Sequence, residues 1–399
     1  MGINHHAASG LMITTVARLR AGVPSTLNAF CLADYQQGTS PHLWGFPNYD
    51  RNTLQASFYN EGRKGHHNKN KYSGGYYNHF YGGYNRDNDY TIVSTYFPNV
   101  DERCNRLFVV DTGDLYYSPS ISYNVQNPAL LVYELPANGC QTRNFPLIRR
   151  VEIPNHLWNI KLGLDFINFD YQSKGSCDDV FLYITNDSDG VLIVYDYKRG
   201  EFWSFDDVSM KPVQAERFVT FEDKVYEFPL GIVSVGLGYL DKDGDRNVYF
   251  GTGSTEAEYL VSSRVLKNKK ASYSSNPDDF KQIGYLGCNT QIFKHVFDPT
   301  TGVIFFGETN SKRISCWNTK LRLSPDTTGV VLESDLLLFP ADMYIDSEGY
   351  LWFLGNHMPL IYLTEDPLDL TNVNSNVLRV KTTDAIRGTV CDVQNTYNY

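Results

Sequence analysis

Hydrophobic residues in this chain fall into short runs divided by polar turns, and one phrase of that kind recurs. Its clearest copy runs from Asp298 to Asn318. Asp298-Pro-Thr-Thr-Gly302 signals a turn, because proline fixes φ and glycine takes positive φ at no steric cost. Val303 to Phe306 is then a β-branched and aromatic run of strand length. Gly307 to Lys312 turns again, and Arg313 to Asn318 alternates into a second strand that carries Cys316. Further copies have Asp-led turns at Asp101, Asp178, Asp241 and Asp346, and their hydrophobic strands begin near Phe108, Phe181, Val248 and Leu351. The spacing between copies is roughly 50 to 70 residues. Asp is expected to cap these hairpins through its own backbone rather than to serve chemistry. Upstream, Leu11 to Arg20, Ser25 to Leu32 and Tyr90 to Val100 are strand candidates, and no segment of useful length has helical periodicity.

Regular β repeats of this period predict propeller blades, which close radially and so protect their strand edges. Five copies plus the Leu11–Leu32 strands give an all-β, six-bladed β-propeller formed by residues 1–399 as one domain. The chain begins close to a strand, so the first blade is expected to be incomplete. Residues 59–88 interrupt the pattern with a Gly-, Tyr-, His- and Asn-rich stretch that has almost no aliphatic residues. Such a composition cannot bury a core and reads as a low-complexity insertion. Its His66, His67 and His79 invite a metal, but a loop is the simpler reading.

Composition narrows the function. A net charge of −10 and a pI near 5.4 argue against nucleic acid as a partner. No run approaches the ~20 apolar residues of a membrane helix, and no basic-then-apolar leader opens the chain. The seven cysteines have no CxxC pairing and no Cys/His spacing suited to zinc, so no metal or other cofactor is expected. Their wide separation fits buried thiols in a cytosolic protein or long-range disulfides in a secreted one. The segment Asp241 to Asp245, DKDGD, looks like a calcium loop, but its glycine and the missing ligand Glu exclude an EF-hand. Asn186-Asp-Ser188 is a glycosylation sequon.

Several phrases resemble the major royal jelly protein/Yellow family of insects. They are VARLRAGVPSTLN (Val16 to Asn28), VDERCNRLFVVDTG (Val100 to Gly113), YITN (Tyr183 to Asn186), ISCWN (Ile314 to Asn318), DSEGYLWF (Asp346 to Phe353) and GTVCD (Gly388 to Asp392). They run in family order over nearly the whole chain. The resemblance implies a secreted six-bladed propeller whose signal peptide and start of blade one are missing here. It also implies disulfides Cys104–Cys177 and Cys316–Cys391, with Cys31, Cys140 and Cys288 unassigned.

For the site, the resemblance points to the central channel. Residues that match the family's amine-binding set are Phe97, Thr112, Asp187, Ala341, Asn356 and Met358, with Asn186 beside them near the channel mouth. Aromatic faces there would hold an indole or catechol, and polar groups would fix its hydroxyl and ammonium. Asp187 and Met358 stand where the family has aromatic residues, and Ala341 where it has a hydroxyl. No nucleophile–base arrangement is visible in the sequence. His156, His295 and His357 are the histidines to weigh as general bases, and His357 lies nearest the expected channel. The leading expectation is a secreted binder of a small aromatic amine or catecholamine-derived product, linked to melanin and pigmentation. A second expectation is dopachrome-converting, tautomerase-like activity, with Asp342, His357 and Asp187 as candidate catalytic groups. A third is a non-catalytic structural or storage protein whose Tyr-rich insertion associates with cuticle, chorion or matrix.

Overall fold

The Asp-led turns fold as hairpin caps. Asp241 Oδ1 accepts the backbone N–H groups of Asp243 and Asp245 at 2.8 and 2.9 Å. Asp346 Oδ1 does the same for Glu348 and Tyr350 at 3.0 and 2.8 Å, and Asp298 for Thr300 at 2.9 Å. Gly302 and Gly349 take the positive φ (+76° and +79°) that these reversals require. Asp178 differs, because it reaches Arg106 of the preceding blade at 2.9 Å. The computed structural model describes all residues except 20–21, 55–89, 119–120, 161–162, 173–174, 222–223, 275, 365–368, 370 and 394–399. The insertion at 59–88, with His66, His67 and His79, therefore lies outside the described residues.

Six antiparallel sheets follow one another along the chain. Blade 1 comprises Ile3–His6, Leu11–Thr15, Leu27–Cys31 and Trp44–Gly45, and blade 2 Asn99–Asp101, Arg106–Asp111, Ala129–Glu134 and Leu147–Glu152. Blade 3 comprises Leu164–Tyr171, Val180–Asn186, Val191–Asp196 and Glu201–Phe205, and blade 4 Ile232–Leu240, Arg246–Thr252, Ala257–Ser262 and Lys281–Tyr285. Blade 5 comprises Ile292–Asp298, Val303–Glu308, Arg313–Asn318 and Thr328–Glu333, and blade 6 Phe339–Ile345, Tyr350–Asn356 and Ser375–Lys381. The innermost strands touch in cyclic order, so the six blades form a closed propeller around a channel. No helix of the described residues is long and apolar enough to cross a membrane.

The core lies between blades, which explains why the second strands are hydrophobic without alternation. Val303–Glu308 is buried at every position. Its Ile304 and Phe306 pack with Tyr249 and Trp317 on one face, while Val303 and Phe305 meet Met343, Leu351 and Phe353 on the other. A strand covered on both faces needs apolar side chains in both registers. The ring closes through side chains reaching backbone groups. Ile3 N–H donates to Asp342 Oδ2 at 2.9 Å, and Glu102 accepts from Ala7 and Ser347 N–H, both at 2.7 Å. Glu102 of the blade 2 turn thus ties blades 1 and 6 together.

Two expectations change, and one element is added. The first blade is four-stranded, because Ile3–His6 forms its innermost strand, and the three-stranded sheet is the last one. The Tyr90–Val100 stretch is a ladder strand only from Asn99. Before that, Val93 and Ser94 N–H bond to the Asp111 carboxylate at 2.9 and 2.8 Å instead of to a neighbouring strand. A hairpin of Phe218–Phe221 and Lys224–Glu227 stands outside the blades. In its first strand exposed Phe218 and Thr220 alternate with buried Val219 and Phe221, a pattern that the repeat-based reading passed over.

Both disulfides implied by the family resemblance are present, joined by Cys31–Cys140, while Cys288 is free and exposed. Cys316–Cys391 clasps the C-terminal segment to blade 5 across 75 residues. Closing a loop of that length is worth ~4 kcal/mol in the chain-entropy model. The double variant Cys316→Ser/Cys391→Ser is expected to lose about 2–4 kcal/mol of stability by denaturant titration. An unchanged midpoint would show that the clasp contributes nothing.

Candidate functional site

Four phenylalanines meet in the channel. Phe97 stacks on Phe166 with ring centroids 3.9 Å apart, and Phe293 lies 5.9 Å from Phe166 and 6.2 Å from Phe97. Phe339 adds an edge contact to Phe293 at 5.1 Å. These rings come from or beside the innermost strands of blades 2, 3, 5 and 6, and form a plug. It separates two spaces, one among the loops that lead into the innermost strands and one at the hairpin turns that end them.

On the loop face a cavity of about 340 Å³ is lined by Phe97, Asp187, Phe228, Phe293, Met358 and Tyr362, among others. Its charged lining residues among those described are Asp187 and Glu227. Arg217 pairs with Glu227 at 2.6 Å. The Asp187 backbone is fixed at both ends, by its own N–H to Gly163 O (3.1 Å) and by Gly231 N–H to its carbonyl (2.7 Å). Ser188 donates to Asp187 Oδ1 at 3.0 Å. Gly163 is required here, because a Cβ would overlap that same carboxylate oxygen.

Of the residues expected at the site, the structure brings Phe97, Asp187 and Met358 together on this wall. The others stand behind it. Ala341 is buried with Phe97 and Phe339 in the aromatic cluster. Thr112 donates to Ser94 O at 3.2 Å. Asn356 Oδ1 accepts from Met358 N–H at 2.8 Å and so orients the short helix Met358–Leu363. Asn186 is fully buried, its amide nitrogen bonded to Ile160 O (3.0 Å) and Asp189 (2.9 Å). His357 precedes the helix with its ring edge-on to Phe221 at 5.9 Å, and His156 is exposed in a turn.

The candidate acid Asp342 lies beyond the plug. Its Oδ1 is 3.3 Å from Lys294 Nζ, and that ammonium sits 3.4 Å from the centroid of Phe166. Burial raises the Asp342 carboxyl above its ordinary value, and Lys294 partly offsets this. His295 lies in a further buried network, with Nδ1 2.8 Å from Ser234 Oγ and Nε2 2.5 Å from Glu258. The order Ser–His–Glu resembles a hydrolytic triad. Ser234 is completely buried, however, and accepts His295 N–H at 2.8 Å, so the group pins blade 4 to blade 5.

Phe166, Phe293, Phe228 and Lys294 escaped the sequence reading. A signal was available: Phe97 and Phe166 lie four residues before Asp101 and Asp170, which close their innermost strands. Phe293 and Ala341 lie five before Asp298 and Asp346. Aligning innermost strands on these Asp residues thus points to Phe97, Phe166 and Phe293, and on blade 6 to Ala341 rather than Phe339.

Fold and cavity together define a six-bladed propeller with an aromatic-floored cavity, lined also by Asp187 and Glu227, at the loop end of its channel. The sequence profile of the major royal jelly protein family matches residues 93–391. The chain is 32% identical over 393 residues to the L-dopachrome tautomerase yellow-f of Drosophila melanogaster, covering 98% of this chain and 81% of that one. It is 31% identical to the Yellow-related salivary protein SP03 of Phlebotomus perniciosus, covering 98% and 87%. With the salivary protein SP04 of Phlebotomus argentipes it shares 35% over 309 residues, covering 76% and 74%. The chain belongs to the major royal jelly protein/Yellow family.

Lys294→Met leaves the Asp342 carboxylate buried without its cation and is expected to cost about 3–5 kcal/mol. The loss has a defined pH dependence. Without Lys294 the carboxyl rises further, so the native state keeps a proton that the unfolded chain releases near its ordinary value of 3.8. Stability of the variant then falls as pH rises through that window, and its deficit is smallest in mild acid. Urea midpoints at pH 4.5 and 7 test this, and equal deficits would contradict it.

Proposed function

We propose that the protein is secreted and holds one small aromatic amine, of the catechol or indole type, in the loop-face cavity. The observation that carries this reading is that the Phe97 ring and the Asp187 carboxylate line the same small space. An aromatic face takes a second ring by offset stacking and attracts a cation through its quadrupole. A carboxylate within reach supplies the counter-ion for an ammonium, while a ligand bearing its own carboxylate is disfavoured beside it. The volume lies near the lower end of ordinary small-molecule sites, in keeping with a single ring and a short side chain. Three disulfides support an oxidising, extracellular setting. The relative named as a dopachrome tautomerase supports a place in melanin chemistry.

A second reading, conversion of dopachrome, rests on that relative. Asp187 is the one of its candidate groups that lines the cavity, since Asp342 lies beyond the plug and His357 precedes the helix. A large molar excess of dopachrome separates the two readings. Loss of its visible absorbance far beyond one equivalent per chain would establish turnover, whereas sequestration stops at about one.

Calorimetric titration with dopamine is expected to give one site per chain. Asp187→Asn should weaken it at least ~10-fold, the loss of one charge-assisted contact. Wild-type affinity in Asp187→Asn, or no saturable binding by the parent protein, would overturn the proposal.

A further inference from the structure

On the other side of the plug the channel opens into a chamber of about 800 Å³ at the hairpin face. We propose that this chamber is a second binding site, distinct from the loop-face cavity, for a small neutral polyhydroxylated molecule of mono- or disaccharide size. Its volume lies within the range of small-molecule sites and exceeds what one aromatic amine fills.

The lining favours hydroxyl groups. Asn4 and Asn168, on the innermost strands of blades 1 and 3, line the chamber opposite Lys294 on blade 5. Asn168 donates its amide nitrogen to Val235 O at 3.0 Å, and Asn4 donates to Pro98 O at 3.5 Å. Those bonds set which way each carboxamide faces, and leave its oxygen as the remaining acceptor. The Asn168 oxygen is buried and has no hydrogen-bond partner among the described residues. An unmet buried acceptor costs stability, and a modest turn of this half-buried side chain would present it to a donor in the chamber. Asn99 provides the contrast. It also lines the chamber, yet its nitrogen bonds Phe97 O (3.1 Å) and its oxygen accepts Ile167 N–H (3.3 Å).

Several of the charges in the lining are matched within the protein. Lys294 is paired with Asp342, and Asp298 and Asp346 cap their own turns. Glu102 accepts the two backbone N–H groups that join blades 1 and 6. A ligand that carries full charge therefore finds no vacant counter-ion at these positions. A hydroxyl both donates and accepts, so it meets the amide oxygens of Asn4 and Asn168 and the ammonium of Lys294 alike. Phe169 and Tyr344 add apolar surface to the lining.

The test is titration of the full chain with D-glucose and maltose, by saturation-transfer NMR and calorimetry, with and without saturating dopamine. Saturable sugar binding is expected, unchanged within about twofold by dopamine. Asn168→Leu and Asn4→Leu should each weaken it at least ~10-fold, roughly one lost hydrogen bond of the stronger kind, while leaving dopamine affinity as it was. Parent-like urea midpoints of the two leucine variants guard against a variant that merely fails to fold. Absence of saturable binding, competition between sugar and dopamine, or full affinity in both leucine variants would overturn the proposal. If dopamine fails to bind while sugar still does, the amine reading falls and this one stands.

Discussion

Phe97 and Phe166 stack face to face where the innermost strands of blades 2 and 3 converge, and the channel is arranged around that contact. A propeller has an open axis by construction, because its innermost strands splay too far apart to hydrogen-bond across the centre. Filling the axis with rings buries large apolar surfaces in an orientation that aromatic pairs favour. It also splits the axis into two spaces of opposite character. The loop-face space inherits ring surface and the carboxylates of Asp187 and Glu227, and the hairpin-face space inherits carboxamides and the ends of turns.

The plug depends in turn on buried polar contacts between blades. Lys294 lies against Phe166 and is matched by Asp342, which also receives Ile3 N–H from the first strand. One ion pair thus joins the plug, blade 5, blade 6 and the closure of the ring. Such a pair is weak support for net stability, since desolvation offsets most of its attraction. Its geometric demand is strict, however, and a ring that closes without sharing a strand gains a fixed register from it. Ser234, His295 and Glu258 perform a similar office between blades 4 and 5.

Much of the fold was legible in the sequence, for a physical reason. Second strands covered on both faces must be continuously apolar, and Asp must recur where hairpins reverse, so both leave local marks. Ile3–His6 left none, because INHH pairs in the sheet with histidines buried by neighbouring blades rather than by its own pattern. The Phe218–Glu227 hairpin was missed because it belongs to no blade. At the site, the family phrases led to Phe97, Asp187 and Met358, which do share one wall, and equally to Thr112, Asn186, Ala341 and Asn356, which sit behind it. Whether a side chain at a strand end faces a cavity or a neighbouring loop is decided by contacts hundreds of residues apart. Spacing along the chain does not encode that choice. The disulfide Cys31–Cys140, spanning 109 residues, was hidden for the same reason.

The most direct measurement is a crystal structure of the protein grown with dopamine. The account predicts density for one molecule in the loop-face cavity, its ring on Phe97 and its ammonium within hydrogen-bond distance of Asp187. Dopamine in the hairpin-face chamber, or a loop-face cavity left unoccupied at saturating ligand, would contradict it.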